Sequence, residues 1–268
     1  MATQTERTLL TLKNVQVKEI IVRGGKNIEE KEVVYGVVWL TRYQARNALD
    51  TSMLQDITDA FAFLQTQFHL NVIILAGCGK SFSAGADLKA KQGPKESTSR
   101  EKRYNIQIGR RAIAAIEGLE AITIAAVHGH AAGGGLGLMV ACDIRICVED
   151  TRLWFPEVDI NLPLTWGLTA RAVRDVGRAK AMEMIAMGTD IPVKEAYMLG
   201  LINKIVKDKH ELDNVVKKWA VALAKKNPST LHLIKTQFKQ LDNMVDLGRV
   251  TDIDNDYLLY NRFLDSSL

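Results

Sequence analysis

The sequence predicts an α/β fold with a helical C-terminal appendage. Three observations carry that prediction. Short β-rich runs alternate with segments of helical periodicity as far as Val206. One run, Ile122 to Val127, has no charge at all, the pattern of a strand covered on both faces. From His210 onward the chain reads as helix, with lysines at 217, 218, 225, 226, 235 and 239.

The elements follow in order. Residues 1–15 are mostly polar and predict a frayed start. Val17 to Val22 and Val33 to Leu40 flank a stretch containing Gly24-Gly25-Lys26-Asn27, which predicts a hairpin. After a polar loop, Asp50 or Thr51 can cap a helix whose apolar positions are Met53, Leu54, Ile57, Ala60, Phe61 and Leu64. Val72 to Ala76 is a buried strand. Lys89 to Arg100 is charged, contains Gly93-Pro94, and predicts a mobile surface segment. One helix is expected over Glu101 to Glu117, with Tyr104, Ile108, Ala112 and Ala115 on one face and Gly118 as its stop. Strands are predicted at Ile144–Val148, Leu153–Phe155 and Ile202–Val206, and helices at Thr165–Asp175, Arg178–Met187 and Val193–Leu199. Pro156 to Pro163 is a loop bounded by prolines.

Composition narrows the class. With 268 residues, 47% hydrophobic and 25% charged, the chain can bury a large core without staples. A net charge of +4 is too small to demand nucleic acid and suits an anionic small molecule equally well. Cys78, Cys142 and Cys147 have no metal-site spacing. Cys142 and Cys147 lie in apolar runs, as inert core thiols do, which suits a reducing compartment. Met1 to Asn14 has no apolar signal core, so a cytoplasmic location is expected. The last residues, Ser266-Ser267-Leu268, are similar to a peroxisomal Ser-Lys-Leu signal but lack its basic residue.

The stretch Ala132-Gly133-Gly134-Gly135-Leu136-Gly137 is the strongest local feature. It reads as a glycine turn between a buried strand and a buried helix. Bare backbone beside a helix start offers N–H donors to an anion or a developing oxyanion. Tight strand–helix packing is the competing use of the same glycines. Ala121 to Cys142 is also uncharged for 22 residues, but two His and five Gly interrupt it, which argues against a membrane span. Gly79-Lys80-Ser81 is not a P-loop, because Ile74 stands where the motif's first glycine belongs.

Three stretches resemble the crotonase family, the enoyl-CoA hydratase/isomerase superfamily. They are Arg46-Asn47-Ala48-Leu49, then Ser81-Phe82-Ser83-Ala84-Gly85-Ala86-Asp87-Leu88, then Ala132 to Asp143 followed by Phe155-Pro156-Glu157. The resemblance runs from about residue 15 to 265 and implies a crotonase-type ββα spiral core over 1–206. It also implies a C-terminal helical trimerisation region over 207–268, with homotrimers or dimers of trimers. It implies acyl-CoA thioester substrates, with coenzyme A as part of the substrate and no separate cofactor or metal. It assigns the oxyanion-hole N–H groups to Ala84 and Gly134, and the CoA segments to Ala45, Ala86, Asp87 and Leu88. Gln44 stands where many members carry a Lys for the CoA phosphates, which leaves that role to Arg42, Arg46 or a C-terminal lysine.

The resemblance also bears on the reaction. Hydratases of this family use two glutamates. Gly137 occupies the first position here and Glu157 the second, which favours a single-glutamate enoyl-CoA isomerase over a hydratase. Decarboxylase, hydrolase, and a catalytically weak acyl-CoA- or RNA-binding member are the alternatives. Burial against Trp154, Phe155 or Leu162 would raise the Glu157 pKa towards that of a useful base. Asp159 is a spare acid if the loop is extended, since residues two apart then share a face. Tyr104 is a packing residue or an acyl-pocket residue. His128 and His130 read as satisfied buried histidines, and Trp166 and Met184 as core.

Overall fold

The computed structural model describes residues 3–23, 32–90 and 98–244. Its frame is a seven-stranded sheet in the order β1-β2-β3-β4-β5-β7-β9. The strands are β1 (Thr3–Thr11), β2 (Val15–Arg23), β3 (Val33–Leu40), β4 (Val72–Gly77), β5 (Ile122–Val127), β7 (Ile144–Val148) and β9 (Lys204–Val206). β1, β2 and β3 pair antiparallel; from β3 to β9 every pairing is parallel. The expected hairpin is present as the β2–β3 pair, its turn lying outside the described residues.

The frayed start is corrected. Thr3–Thr11 is an edge strand that pairs with β2 from Thr3↔Arg23 to Thr11↔Gln16. Its polar side chains are mostly exposed, as suits a sheet edge, and its order comes from the ladder rather than from burial.

A second, short layer stacks beside each main strand. Leu49 bridges Ala86, Ser83 bridges Ala131, and β6 (His130–Ala132) pairs with β8 (Arg152–Trp154), which continues through Leu153 to Ile191. Each turn of the chain thus lays one long strand in the main sheet, one short strand in the second layer, and then a helix. This is the ββα spiral.

Period-two alternation splits the core between the two faces of the sheet. Ile73, Leu75, Ala125 and Val127 face one side, packed by α1 (Thr51–Leu64), α3 (Ile108–Gly118) and α4 (Gly134–Val140). Asp50 caps α1, its carboxylate accepting from Met53 N–H at 2.7 Å, and all six predicted apolar positions of α1 are buried. Val72, Ile74, Ile124 and Ile146 face the other side, covered by Leu212, Val216 and Ala220 of α8 (Lys209–Ala224). The chain therefore uses α8 within its own core.

Two expected helices differ. Residues 101–117 form α2 (Ser99–Ile106) and α3, broken at Gln107, so Tyr104 is on the surface with the Arg111 guanidinium 3.7 Å above its ring. The helix expected from Thr165 starts at Leu168 as α5 (Leu168–Val176), because Trp166 and Gly167 both have left-handed backbone, φ 60° and 73°. α6 (Arg178–Met187) and α7 (Val193–Met198) follow as predicted. Cys142 and Cys147 are buried and burial pushes both thiols up, Cys142 to about 12, as inert core thiols require. Among the described residues no helix is long and apolar enough to cross a membrane. Ser266-Ser267-Leu268 and most of Lys89 to Arg100 lie outside them.

The last described helix, α9 (Pro228–Met244), is anchored by a buried cation. Lys235 is only 4% exposed along its side chain, and its Nζ donates to Asp143 Oδ2 at 2.7 Å and to the Ala121 carbonyl at 2.9 Å. Asp143 Oδ2 also accepts from the backbone and hydroxyl of Thr123, both at 2.8 Å. Replacing Lys235 by Met removes the buried cation and leaves the Asp143 carboxylate, its side chain 29% exposed, with one partner fewer. A loss of about 3 kcal/mol in unfolding free energy is expected, read from urea denaturation.

Candidate active site

The glycine turn joins the two layers. Gly133 N–H donates to the Trp154 carbonyl at 2.9 Å, and α4 begins at Gly134. All seven residues of α4 are buried. Among the described residues, Gly134 N–H has no partner, as the first turn of a helix dictates. Its neighbours are closer than a side chain allows. A methyl at Gly133 would sit 2.4 Å from Glu157 Oε1, and one at Gly135 would sit 2.7 Å from the Ser83 carbonyl.

The second strand to reach this turn carries Ser83 to Asp87. Ser83 pairs with β6, its N–H donating to the His130 carbonyl at 2.9 Å. Ala84 is turned the other way, its N–H donating to the Arg46 carbonyl at 2.9 Å. This corrects the expectation that Ala84 offers a free donor. Leu49 bonds on either side of Ala86, donating to the Gly85 carbonyl and accepting from Asp87 N–H. By the geometry of a parallel ladder, Ala86 N–H then points away from Leu49, to the side where Ser83 meets β6. It has no partner among the described residues. Ala84 and Ala86 are equally small, and the motif match assigned the donor to Ala84; the register of the Leu49 bridge leaves the Ala86 N–H as the one without a partner among the described residues.

Glu157 lies on a short 3-10 helix, Glu157–Ile160, rather than in an extended loop. Its carboxyl reaches the Gly133 backbone, and Oε2 is buried without a partner. Burial pushes its pKa up to about 7, offset only in part by its own backbone N–H. The 3-10 helix also settles the place of Asp159. At three residues per turn, positions two apart do not share a face. Asp159 is exposed, with Oδ2 3.1 Å from where a Gly188 side chain would begin, at the end of α6. The nearest neighbours of Gly137 are apolar: a methyl there would meet Leu168 Cδ2 at 2.7 Å and Ile113 Cδ1 at 3.2 Å.

Trp166 was expected in the core. It is half-buried, and its indole lies against Gly134, the Cζ3 edge 2.2 Å from where a Gly134 side chain would begin. Met184 is buried as expected. His128 and His130 shape the approach to the turn, with ring nitrogens 2.9 Å from the Gly79 carbonyl and from Ser81 Oγ respectively. Burial lowers both pKa values, and His128 Nδ1 has no partner.

An open cleft of about 810 Å³ leads outward from Ala84 and Ala86. Ala45, Asp87 and Leu88 line it together with Arg42 and Arg46. The polar groups at its mouth are not all free. Asp87 accepts from Arg42 at 2.6 Å, and Arg42 also donates to the Ala48 carbonyl at 2.9 Å. Burial works to raise the Asp87 pKa, but Arg42 and the N–H groups of Lys89 and Ala90 outweigh it and hold the carboxyl below its usual value. Arg46 is exposed and has no ion pair among the described residues. Asn47 fixes the wall from behind: it is fully buried at φ 54°, and its amide donates to the carbonyls of Cys78 and Ser81 at 3.0 and 2.9 Å. No group of three or more potential metal ligands occurs among the described residues.

Comparison with known proteins places the chain in a family. A family model described as enoyl-CoA hydratase/isomerase matches residues 30–263. The chain is 34% identical over 228 residues to a crotonyl-CoA hydratase of Syntrophomonas wolfei, covering 85% of this chain and 84% of that one. It is 34% identical, also over 228 residues, to a peroxisomal Delta(3,5)-Delta(2,4)-dienoyl-CoA isomerase of Arabidopsis thaliana, covering 82% and 80%. The crystal structure of an enoyl-CoA hydratase from Bacillus anthracis superposes with a TM-score of 0.73 at 27% identity, covering 90% of each chain. The match over most of the chain shows that it belongs to the enoyl-CoA hydratase/isomerase family of the crotonase superfamily.

Proposed function

We propose that this chain is a single-carboxylate enoyl-CoA isomerase that works through a thioester enolate. The observation that carries this reading is the pairing of one buried carboxyl, Glu157, whose Oε2 has no partner, with apolar nearest neighbours where a second acid would stand, Leu168 and Ile113 around Gly137. In this reading the thioester oxygen accepts from Ala86 and Gly134 N–H, fixed donors that stabilise developing negative charge better than mobile water does. Glu157 removes a proton from the carbon beside the thioester. Electrons delocalise along the double bond, and the protonated Glu157 returns the proton two carbons further on. A base titrating near neutrality suits both halves of the shuttle.

Ala45, Ala86, Asp87 and Leu88 would enclose the adenine end of coenzyme A in the outer cleft. Arg46, exposed and without an ion pair among the described residues, is the candidate partner for its phosphates; Arg42 is held by Asp87. Hydration is the second reading, favoured by the hydratase names of several relatives. The arrangement of Asp159 at Gly188, away from Glu157, speaks against it.

Assay of purified protein with 3-hexenoyl-CoA and with crotonyl-CoA separates the two. Isomerisation of the former, falling about a thousandfold in Glu157→Gln, is expected. Hydration of crotonyl-CoA that depends on Glu157 would overturn the isomerase reading in favour of the hydratase.

The pH dependence has a definite sign. Between the ordinary carboxyl value of 4.5 and about 7, folded Glu157 holds a proton that the unfolded chain has released. Stability therefore falls as pH rises across that window, while kcat/KM rises as the base ionises. Glu157→Gln removes the buried charge. At pH 8 it is expected to unfold with about 3 kcal/mol more free energy than the parent, and at pH 4 with little difference, measured by denaturant titration at both values.

We also propose a homotrimer, or a dimer of trimers, as the working assembly. Ile234, Phe238 and Leu241 are exposed at helical spacing on α9, a stripe with no cover among the described residues. Light scattering should give a trimer or hexamer mass, and Phe238→Asp should reduce it.

A further inference from the structure

Beyond the proton shuttle, the site contains an aromatic body that the chemistry does not use. The Trp166 indole bridges two backbones. A methyl at Gly109, on α3, would sit 2.0 Å from its Cε2, and one at Gly134 would sit 2.2 Å from its Cζ3. The ring thus fills the gap between α3 and the first turn of α4. Leu49 Cδ1 packs at the same place, 3.2 Å from where the Gly134 side chain would begin.

Trp166 is held there against its own backbone preference. A non-glycine residue at φ 60° is uncommon, and a bulky one persists only where its surroundings impose it. Arg171 supplies that constraint. Its Nη1 donates to the Gly167 carbonyl at 2.9 Å and to the Trp166 carbonyl at 3.4 Å. Its Nε donates to Glu117 Oε1 on α3 at 2.7 Å. The turn that carries the indole is latched to the helix that carries Gly109.

We infer that Trp166 is a specificity-determining residue that closes the inner end of the acyl cleft and restricts the substrate to short acyl chains. The inference rests on the acyl-CoA reading above. A thioester oxygen held at Gly134 N–H starts the acyl chain beside the indole. Carbons added toward α3 then meet the ring instead of an apolar tunnel, so they gain no burial and crowd the site.

Binding of saturated acyl-CoAs, which have no double bond to shift, tests this without turnover. Butanoyl-, octanoyl- and dodecanoyl-CoA are titrated calorimetrically into the full-length protein, Trp166→Ala and Trp166→Phe. The parent is expected to bind butanoyl-CoA about tenfold or more tighter than dodecanoyl-CoA. Trp166→Ala is expected to reverse that order. Trp166→Phe keeps an aromatic ring against Gly134 and should fall between them, and it decides the matter if the Ala variant does not fold. Equal or tighter binding of dodecanoyl-CoA by the parent, or the parental order in both variants, overturns the inference and leaves the acyl-CoA reading standing. No binding of any acyl-CoA removes both.

Discussion

Backbone packing closer than a side chain permits is the constraint on which this site depends. At Gly133, Gly134, Gly135 and Gly137, an added methyl would meet Glu157, Trp166, Ser83 and Leu168 at 2.2 to 2.7 Å. Glycine inside a helix costs roughly 1 kcal/mol against alanine, and α4 has three within seven residues. The helix forms regardless because every one of its residues is buried, so tertiary packing outweighs local propensity. The glycines thus allow strand, helix and carboxyl to converge on one short stretch of backbone.

Convergence also explains the charge distribution. Polar groups of the outer wall are mostly consumed in holding that wall: Arg42 by Asp87 and Ala48, Ser83 Oγ by the Asn47 carbonyl, and the Asn47 amide by Cys78 and Ser81. Asn47 Oδ1 and His128 Nδ1 are buried without partners, and so is the carboxyl oxygen Glu157 Oε2. A protein keeps such a group only where its surroundings are held rigidly enough to stop it turning to water. Here the 3-10 helix between Pro156 and Asn161 does so, turning Glu157 inward and Asp159 outward.

Much of this was legible in the residues. The buried strands, the α1 stripe, the glycine turn and Glu157 announce themselves through periodicity, spacing and family motif. What escaped has a common origin in contacts between distant segments. β1 reads as polar and frayed because its order comes from a ladder with β2, not from its own side chains. The break at Gln107 has no proline to mark it, and Gly109 beside it lies within α3. Ala84 and Ala86 differ only in which way their N–H groups point, a property of the Leu49 bridge 37 positions away in sequence from Ala86. Trp166 looks like any core aromatic until its left-handed backbone and the Arg171–Glu117 pair are seen.

The position of α8 bears on how the chain is made. One whole face of the main sheet, carrying Val37, Ile74, Ile124 and Ile146, is assembled from segments that precede residue 207, yet its cover is Leu212, Val216 and Ala220. Among the described residues, no helix covers that face until residues 209–224 have left the ribosome. A nascent chain halted before then presents a broad β-rich apolar surface, the kind that chaperones hold and that aggregates when they do not. Completion of the fold is therefore a late event, set by the arrival of one helix rather than by the strands and glycines that form the site.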